Sequence, residues 1–298
     1  MPSIFIFGLF PEDSGKTVFS SALARGFVSR GIKTCVFKPR SGHSLWHQYD
    51  AFLKCREAGR LFCEDIMKLR KACRSRMPFE VLNPIDALMA PLNAGRFIKH
   101  KTVDQLYLFE EDVFLHLVAE RYTICRNDEL KNILCINRRI EESNIALNDP
   151  EYLKGLKRRA DKIIYLHNPE DWSRTFEEYS SEAIMSCYGR ISEKYSHIIV
   201  EGYNDAVCPG GELRYDLVVG VAPGAAIFYD AEEFHKVIEI HKSLGKNPTA
   251  LRAKDIIKYL RGRIMPIPPL PSSHLKDYDL LSRDLGHLVD LALKSVGD

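Results

Sequence analysis

Four consecutive apolar residues, Ile4-Phe5-Ile6-Phe7, run straight into a glycine-bounded loop, Gly8 to Gly15, and then into Lys16-Thr17 at the head of a helical pattern. An apolar run without polar alternation marks a strand covered on both faces, as the parallel strands of α/β proteins are. Val18, Ala22 and Phe27 recur at helical spacing as far as Ser29, Gly31 ends the helix, and Thr34 to Phe37 is a second apolar strand. Strand, helix and strand at this spacing require a parallel pair joined by a right-handed crossover.

The same rhythm returns late in the chain. Lys162–Leu166, Ile198–Val200, Leu217–Val221 and Ile264–Ile267 read as strands, and Asp171–Tyr195, Glu232–Leu244, Ala253–Leu260 and Leu280–Leu293 as helices. Trp46–Cys73 reads as one or two helices broken near Gly59. Arg121–Cys125 and Ile133–Ile136 read as a hairpin about the turn-prone Asn127-Asp128. The expected fold class is α/β, a doubly wound parallel sheet forming a single domain over 1–298, with residues 77–160 as an insertion or elaboration. Pro266 to Pro271 is a rigid extended turn. In such a sheet, ligands bind at the carboxyl ends of the strands.

The loop after the first strand carries the chemistry. Gly15 lets main-chain N–H groups close around phosphate oxygens, and the helix that follows adds the positive end of its dipole. Lys16 supplies an ammonium for β- and γ-phosphates, and the Thr17 hydroxyl is a hard ligand for Mg²⁺. The pattern is not GxxxxGK[ST], because Phe10 stands at its first glycine and the glycine lies two residues earlier, at Gly8. Strand before and helix after nevertheless make this a P-loop, and the fold an expected P-loop NTPase.

Glu201 ends a strand of the buried type, where an unpaired carboxylate is costly; a metal or a water network would satisfy it. Asp50 reads equally as a metal ligand or as a helix cap. Lys38 and Arg40 place two cations at the end of the second strand, suited to an anion or to developing charge. His43, His47 and Asp50 have helical spacing, and two solvent-facing histidines are the preferred reading over a metal site. His43 is the better candidate of the two for substrate contact. Cys208, past the Glu201 loop, reads as packed rather than reactive.

Forty-two basic against 40 acidic residues leave a net charge of +2, which argues against nucleic acid as a partner. The run Lys154, Lys157, Arg158 and Arg159 reads as a solvated helix face. No window approaches a membrane span, and the apolar N-terminus lacks a basic leader, so a cytoplasmic protein with no membrane partner is expected. The eight cysteines form no CxxC pair, which disfavours a zinc-thiolate site.

These residues resemble the dethiobiotin synthetase-like ATPases of the MinD-type branch. That family also has a long phosphate loop with acids before Gly-Lys-Thr. Lys38-Pro39-Arg40-Ser41-Gly42 is similar to its Lys-Pro…Ser-Gly segment, Tyr49-Asp50-Ala51 to its Asp-Ala, Ile198 to Gly202 to its Val-Glu-Gly strand end, and Pro266-Ile267-Pro268 to the turn bordering its base site. The order agrees over 1–60 and 195–270. The resemblance implies Mg-ATP held by Asp13, Ser14, Gly15, Lys16, Thr17, Val18 and Pro268, and Mg²⁺ held by Thr17, Asp50 and Glu201. It implies Lys16 and Lys38 as the groups acting on the γ-phosphate, and Lys38, Arg40, Ser41 and His43 as the acceptor wall.

One departure implies an acceptor other than the diamine of that family, and a second bears on which nucleobase is read. Tyr203-Asn204-Asp205 replaces its glycine-rich run, and Val221-Ala222-Pro223-Gly224 lacks its base-reading Asn. The expected activity is therefore an ATP-dependent ligase or phosphotransferase acting on a small anionic or carboxylated metabolite. The rival reading is a nucleotide-gated switch recruiting a protein partner through 77–160. MinD-type relatives close over nucleotide as dimers, so a homodimer is one assembly the resemblance implies.

Overall fold

Every residue of Ser3–Gly8 (β1) is buried, and the strands that cover it come from the far end of the chain. The computed structural model describes residues 1–127, 129–210 and 212–297. The remaining strands are Thr34–Phe37 (β2), Arg40–Ser44 (β3), Ile85–Met89 (β4), Leu117–Arg126 (β5), Glu129–Asn137 (β6), Lys162–Leu166 (β7), His197–Glu201 (β8), Leu217–Ala222 (β9), Ala225–Tyr229 (β10) and Gly262–Pro266 (β11). The chain is α/β and divides into two compact units. One comprises 1–40, 65–82 and 188–298, the other 41–64 and 83–187.

The first unit holds a six-stranded sheet in the order β11-β10-β9-β1-β8-β2. β1 is parallel to both β8 and β9, and β8 is parallel to β2. Phe5 and Phe7 are fully buried, and the Phe5 ring stacks on Tyr215 at 4.6 Å. Truncating either phenylalanine would cost about 3–5 kcal/mol. The helix Lys16–Ser29 comes so close to the C-terminal helix that a Cβ on Gly26 would meet Val289 at 2.6 Å.

The expectation of a wholly parallel sheet is corrected here. β10 runs antiparallel to β9 and β11 antiparallel to β10. The cause is local: Ala222 pairs with Ala225, so Pro223 and Gly224 (φ 84°) form a two-residue turn that reverses the chain. A strand follows that turn where none was expected. Two helices are also broken by the structure: Ala253–Leu260 becomes Ala253–Ile256 and a 3₁₀ turn, and Leu280–Leu293 becomes Tyr278–Asp284 and Gly286–Ser295.

The second unit has its own sheet, β3-β4-β5-β6-β7. β5 and β6 pair antiparallel from Ala119↔Ile136 to Arg126↔Glu129, so they are a hairpin; Asp128 of its turn lies outside the described residues. β7, expected to extend the first sheet, lies parallel to β6 instead. The helix Tyr49–Ala58 ends at Gly59, whose φ of 60° caps it, and the next helix, Glu64–Ala72, belongs to the first unit from Asp65 onward. Among the described residues no helix is long and apolar enough to cross a membrane.

Candidate functional site

The Gly8–Thr17 loop joins β1 to the helix Lys16–Ser29, with Gly15 in the left-handed conformation (φ 82°) at the helix N-cap. Ser14 is buried and closes the loop on itself: its hydroxyl donates to the Phe10 carbonyl at 2.7 Å and accepts from the Phe10 N–H at 3.2 Å. Leu9 N donates to the Val221 carbonyl at 2.9 Å, tying the loop to β9. Gly8 cannot be replaced without moving this arrangement. A Cβ there would lie 2.7 Å from Ser14 Oγ, 2.9 Å from the Phe10 carbonyl oxygen and 2.9 Å from Lys16 Nζ. The Lys16 ammonium is therefore folded back over the end of β1. Burial lowers its pKa, opposed by Glu201 and assisted by Lys38.

Neighbouring parallel strands bring two further groups to the same place, and two helices add Thr17 and Asp65. β8 lies between β1 and β2, ends at Glu201, and buries that carboxylate completely. Lys38 follows β2 and is buried too. Thr17 donates its hydroxyl to Glu201 Oε1 at 3.1 Å, and Lys38 Nζ donates to the same oxygen at 2.6 Å. Lys38 also reaches Asp65 Oδ2 at 3.0 Å. Burial would raise the Asp65 pKa, but the Lys38 ammonium, with Lys68 and the Thr17 hydroxyl, holds it below its usual value. Asp65, in the first turn of Glu64–Ala72, was not singled out from the sequence. Its only signal there was an acid near the start of a helical stretch.

Beyond the loop is an apolar pocket of about 420 Å³. Asp13, Ser14, Gly15 and Val18 line one side, and Val221 to Gly224 with Ile267, Pro268 and Leu270 line the rest. The sequence-predicted residues Asp13, Ser14, Gly15, Val18 and Pro268 thus share one cavity. The turn that produced the antiparallel β10 is also its wall.

The remaining predicted residues divide between the two units. The Arg40 guanidinium lies over the Tyr203 ring at 5.5 Å, in the first unit. Ser41 and His43 belong to the second unit, where β3 alternates and turns both side chains inward. Ser41 Oγ lies 2.5 Å from Asp86 Oδ1 and 2.9 Å from Asn83 Oδ1. His43 Nδ1 lies 3.0 Å from Asp86 Oδ2, both side chains having no exposure. The reading of His43 as solvent-facing on a helix with His47 and Asp50 is corrected: it is a buried strand residue, and only His47 and Asp50 are exposed. Burial would lower the His43 pKa, but the Asp86 carboxylate overrides it and raises it to about 10. Asp50 sits in the first turn of Tyr49–Ala58 in the second unit, where it suits the helix dipole. Cys208 is partly buried, and burial pushes its thiol up, away from the reactive thiolate.

Among the described residues no three of His, Cys, Asp and Glu cluster as a protein-only metal site. Mg²⁺ needs no such cage, since it keeps several waters and takes phosphate oxygens with one or two carboxylates. The donor set of Thr17, Glu201 and Asp65 fits that demand, and Glu201 Oε2 is buried without a hydrogen-bond partner. No family model and no curated protein matches the chain.

Proposed function

We propose that this protein is a Mg-ATP-dependent P-loop enzyme that transfers or activates phosphate on a small anionic or carboxylated metabolite. The observation that carries the reading is the convergence of Lys16, Thr17, Lys38 and Glu201 at the carboxyl ends of β1, β8 and β2. The resemblance to dethiobiotin synthetase-like ATPases supports it, and the apolar pocket beside Gly15 suits a nucleobase.

In this reading the main-chain N–H groups around Gly15 and the Lys16 ammonium bind the β- and γ-phosphates. Thr17 and Glu201 would hold Mg²⁺, joined by Asp65 rather than Asp50, and the ion would supply positive charge to offset that of the phosphates. Lys16 and Lys38 lower the charge that develops on the transferred group. No covalent nucleophile is required, so positioning and electrostatics carry the rate.

Two measurements test it. Calorimetry should show Mg-ATP binding to the wild-type chain and much weaker binding to Lys16→Ala. ATP turnover should be low alone and rise with the right carboxylated metabolite, while diaminopelargonate with bicarbonate should not raise it. Robust dethiobiotin formation would refute the expected change of acceptor.

One observation favours a second reading, a nucleotide-gated switch with a protein partner. In the second unit the helix Val103–Glu110 buries none of its residues, and Tyr107 and Leu108 are 73% and 72% exposed. An apolar face of this kind marks interaction surfaces. A switch would turn over ATP slowly with no metabolite added; a ligase would stall.

A further inference from the structure

Lys38 stands where a divalent cation would bind. Its ammonium bridges two carboxylates, 2.6 Å from Glu201 Oε1 and 3.0 Å from Asp65 Oδ2. Glu201 Oε1 is also the acceptor for the Thr17 hydroxyl. A hydroxyl and two carboxylates around one point are the hard-oxygen donors a divalent ion takes. The second Glu201 oxygen is buried and unpartnered, so the donor set has capacity that the ammonium does not use. Leaving such a carboxylate without any cation would be costly.

We infer that Lys38 is a resident counter-cation for the metal site, and that an entering divalent ion displaces its ammonium towards the phosphate being transferred. This rests on the Mg-nucleotide reading of the same site. A divalent ion on Glu201 Oε1 and the ammonium on the same oxygen would be like charges a few ångströms apart in a dry setting, so they cannot share it without strong repulsion. Lysine suits the exchange, being a point charge on a flexible stem. The movement is confined to that stem. Lys38 N donates to the Leu82 carbonyl at 2.8 Å, and the next residue is Pro39, which restricts the main chain on either side of the bond. Metal entry and delivery of the lysine are then one event: nucleotide-free protein keeps its carboxylates neutralised, and the ammonium reaches the transferred group only when the metal has arrived.

The test uses Mn²⁺ alone, without nucleotide, on the full chain. Free-ion electron paramagnetic resonance should show weak Mn²⁺ binding to the wild type and at least tenfold tighter binding to Lys38→Met. Mn²⁺ should also raise the Tm of that variant more than it raises the Tm of the wild type. Lys38→Arg retains the charge and should bind Mn²⁺ as weakly as the wild type. Equal or weaker Mn²⁺ binding to Lys38→Met overturns the inference. If Lys38→Met does not fold alone, its recovery with Mn²⁺ but not with sodium chloride of equal ionic strength supports the exchange, and failure to recover overturns it. Mg-ATP calorimetry on the wild type separates the two claims. A wild type that binds no nucleotide while Lys38→Met gains Mn²⁺ affinity loses the ATP reading alone; the opposite pair of results loses the exchange alone.

Discussion

Thr17 and Glu201, 184 positions apart in sequence, meet through a 3.1 Å hydrogen bond from hydroxyl to carboxylate. The bond joins the first turn of a helix to the end of β8, a strand three sheet positions from β10 and separated from it by β9 and β1. Glu201→Gln keeps the size of the side chain and an acceptor for Thr17, but loses the charge that Lys38 and Mg²⁺ need. The Mg²⁺ concentration for half-maximal ATP turnover should rise at least about 10–100-fold, the range seen when even outer-shell partners of a metal are removed. An unchanged metal dependence of turnover would place the ion elsewhere.

Lys16→Ala removes an ammonium held over the end of β1. A hydrogen bond to a charged group contributes about 1.5–3 kcal/mol, so Mg-ATP affinity by calorimetry should fall roughly 10–100-fold. Far-UV circular dichroism should be unchanged, since Lys16 is not part of the buried core. Equal affinity in the two proteins would remove the phosphate-loop reading.

Gly8→Ala should mimic that loss without deleting any donor. Its methyl group meets Ser14 Oγ, Lys16 Nζ and the Phe10 carbonyl, all at under 3 Å, so the loop must open and carry the ammonium with it. Gly155→Ala is the control, on the helix Pro150–Arg159 with nothing within 4 Å of the new Cβ. It should leave nucleotide affinity alone and stabilise the chain by about 0.5–1 kcal/mol. Nucleotide titration and thermal melts of both variants decide the matter.

His43 should make stability depend on alkaline pH. Its pKa is raised from 6.5 to about 10 in the folded chain by Asp86, against the effect of burial. A raised folded pKa adds stability that is complete below pH 6.5 and is lost as pH climbs through about 10. The Tm of the wild type should therefore fall between pH 7 and 10 more steeply than that of His43→Phe. Parallel slopes would mean that the ring is neutral against Asp86.

The sheet around β1 was legible where the sequence is locally decisive. β1, β2 and β8 are apolar runs whose ends carry Gly8, Lys38 and Glu201, and their pairing brings those residues together. Asp65 was not legible, because nothing local says that the helix Glu64–Ala72 will present it to Lys38. β3, Arg-Ser-Gly-His-Ser, carries no apolar residue and has no strand signature; its inward face is polar because Asp86 waits on it. Strand direction was also hidden. β7 has an ordinary apolar strand sequence, and only long-range pairing decides that its partner is β6 rather than a strand of the first sheet.

The position of β1 between β8 and β9 has a consequence for synthesis. The strand is made well before both of its pairing partners, which begin at His197 and Leu217. At ordinary translation rates of about 5–20 residues per second, Phe5 and Phe7 wait on the order of 10–40 s for a neighbour. During that interval Ile4 to Phe7 is an aromatic, unpaired strand of the kind that aggregates from unfinished chains, and a chaperone that masks it until β8 and β9 arrive would guard against that.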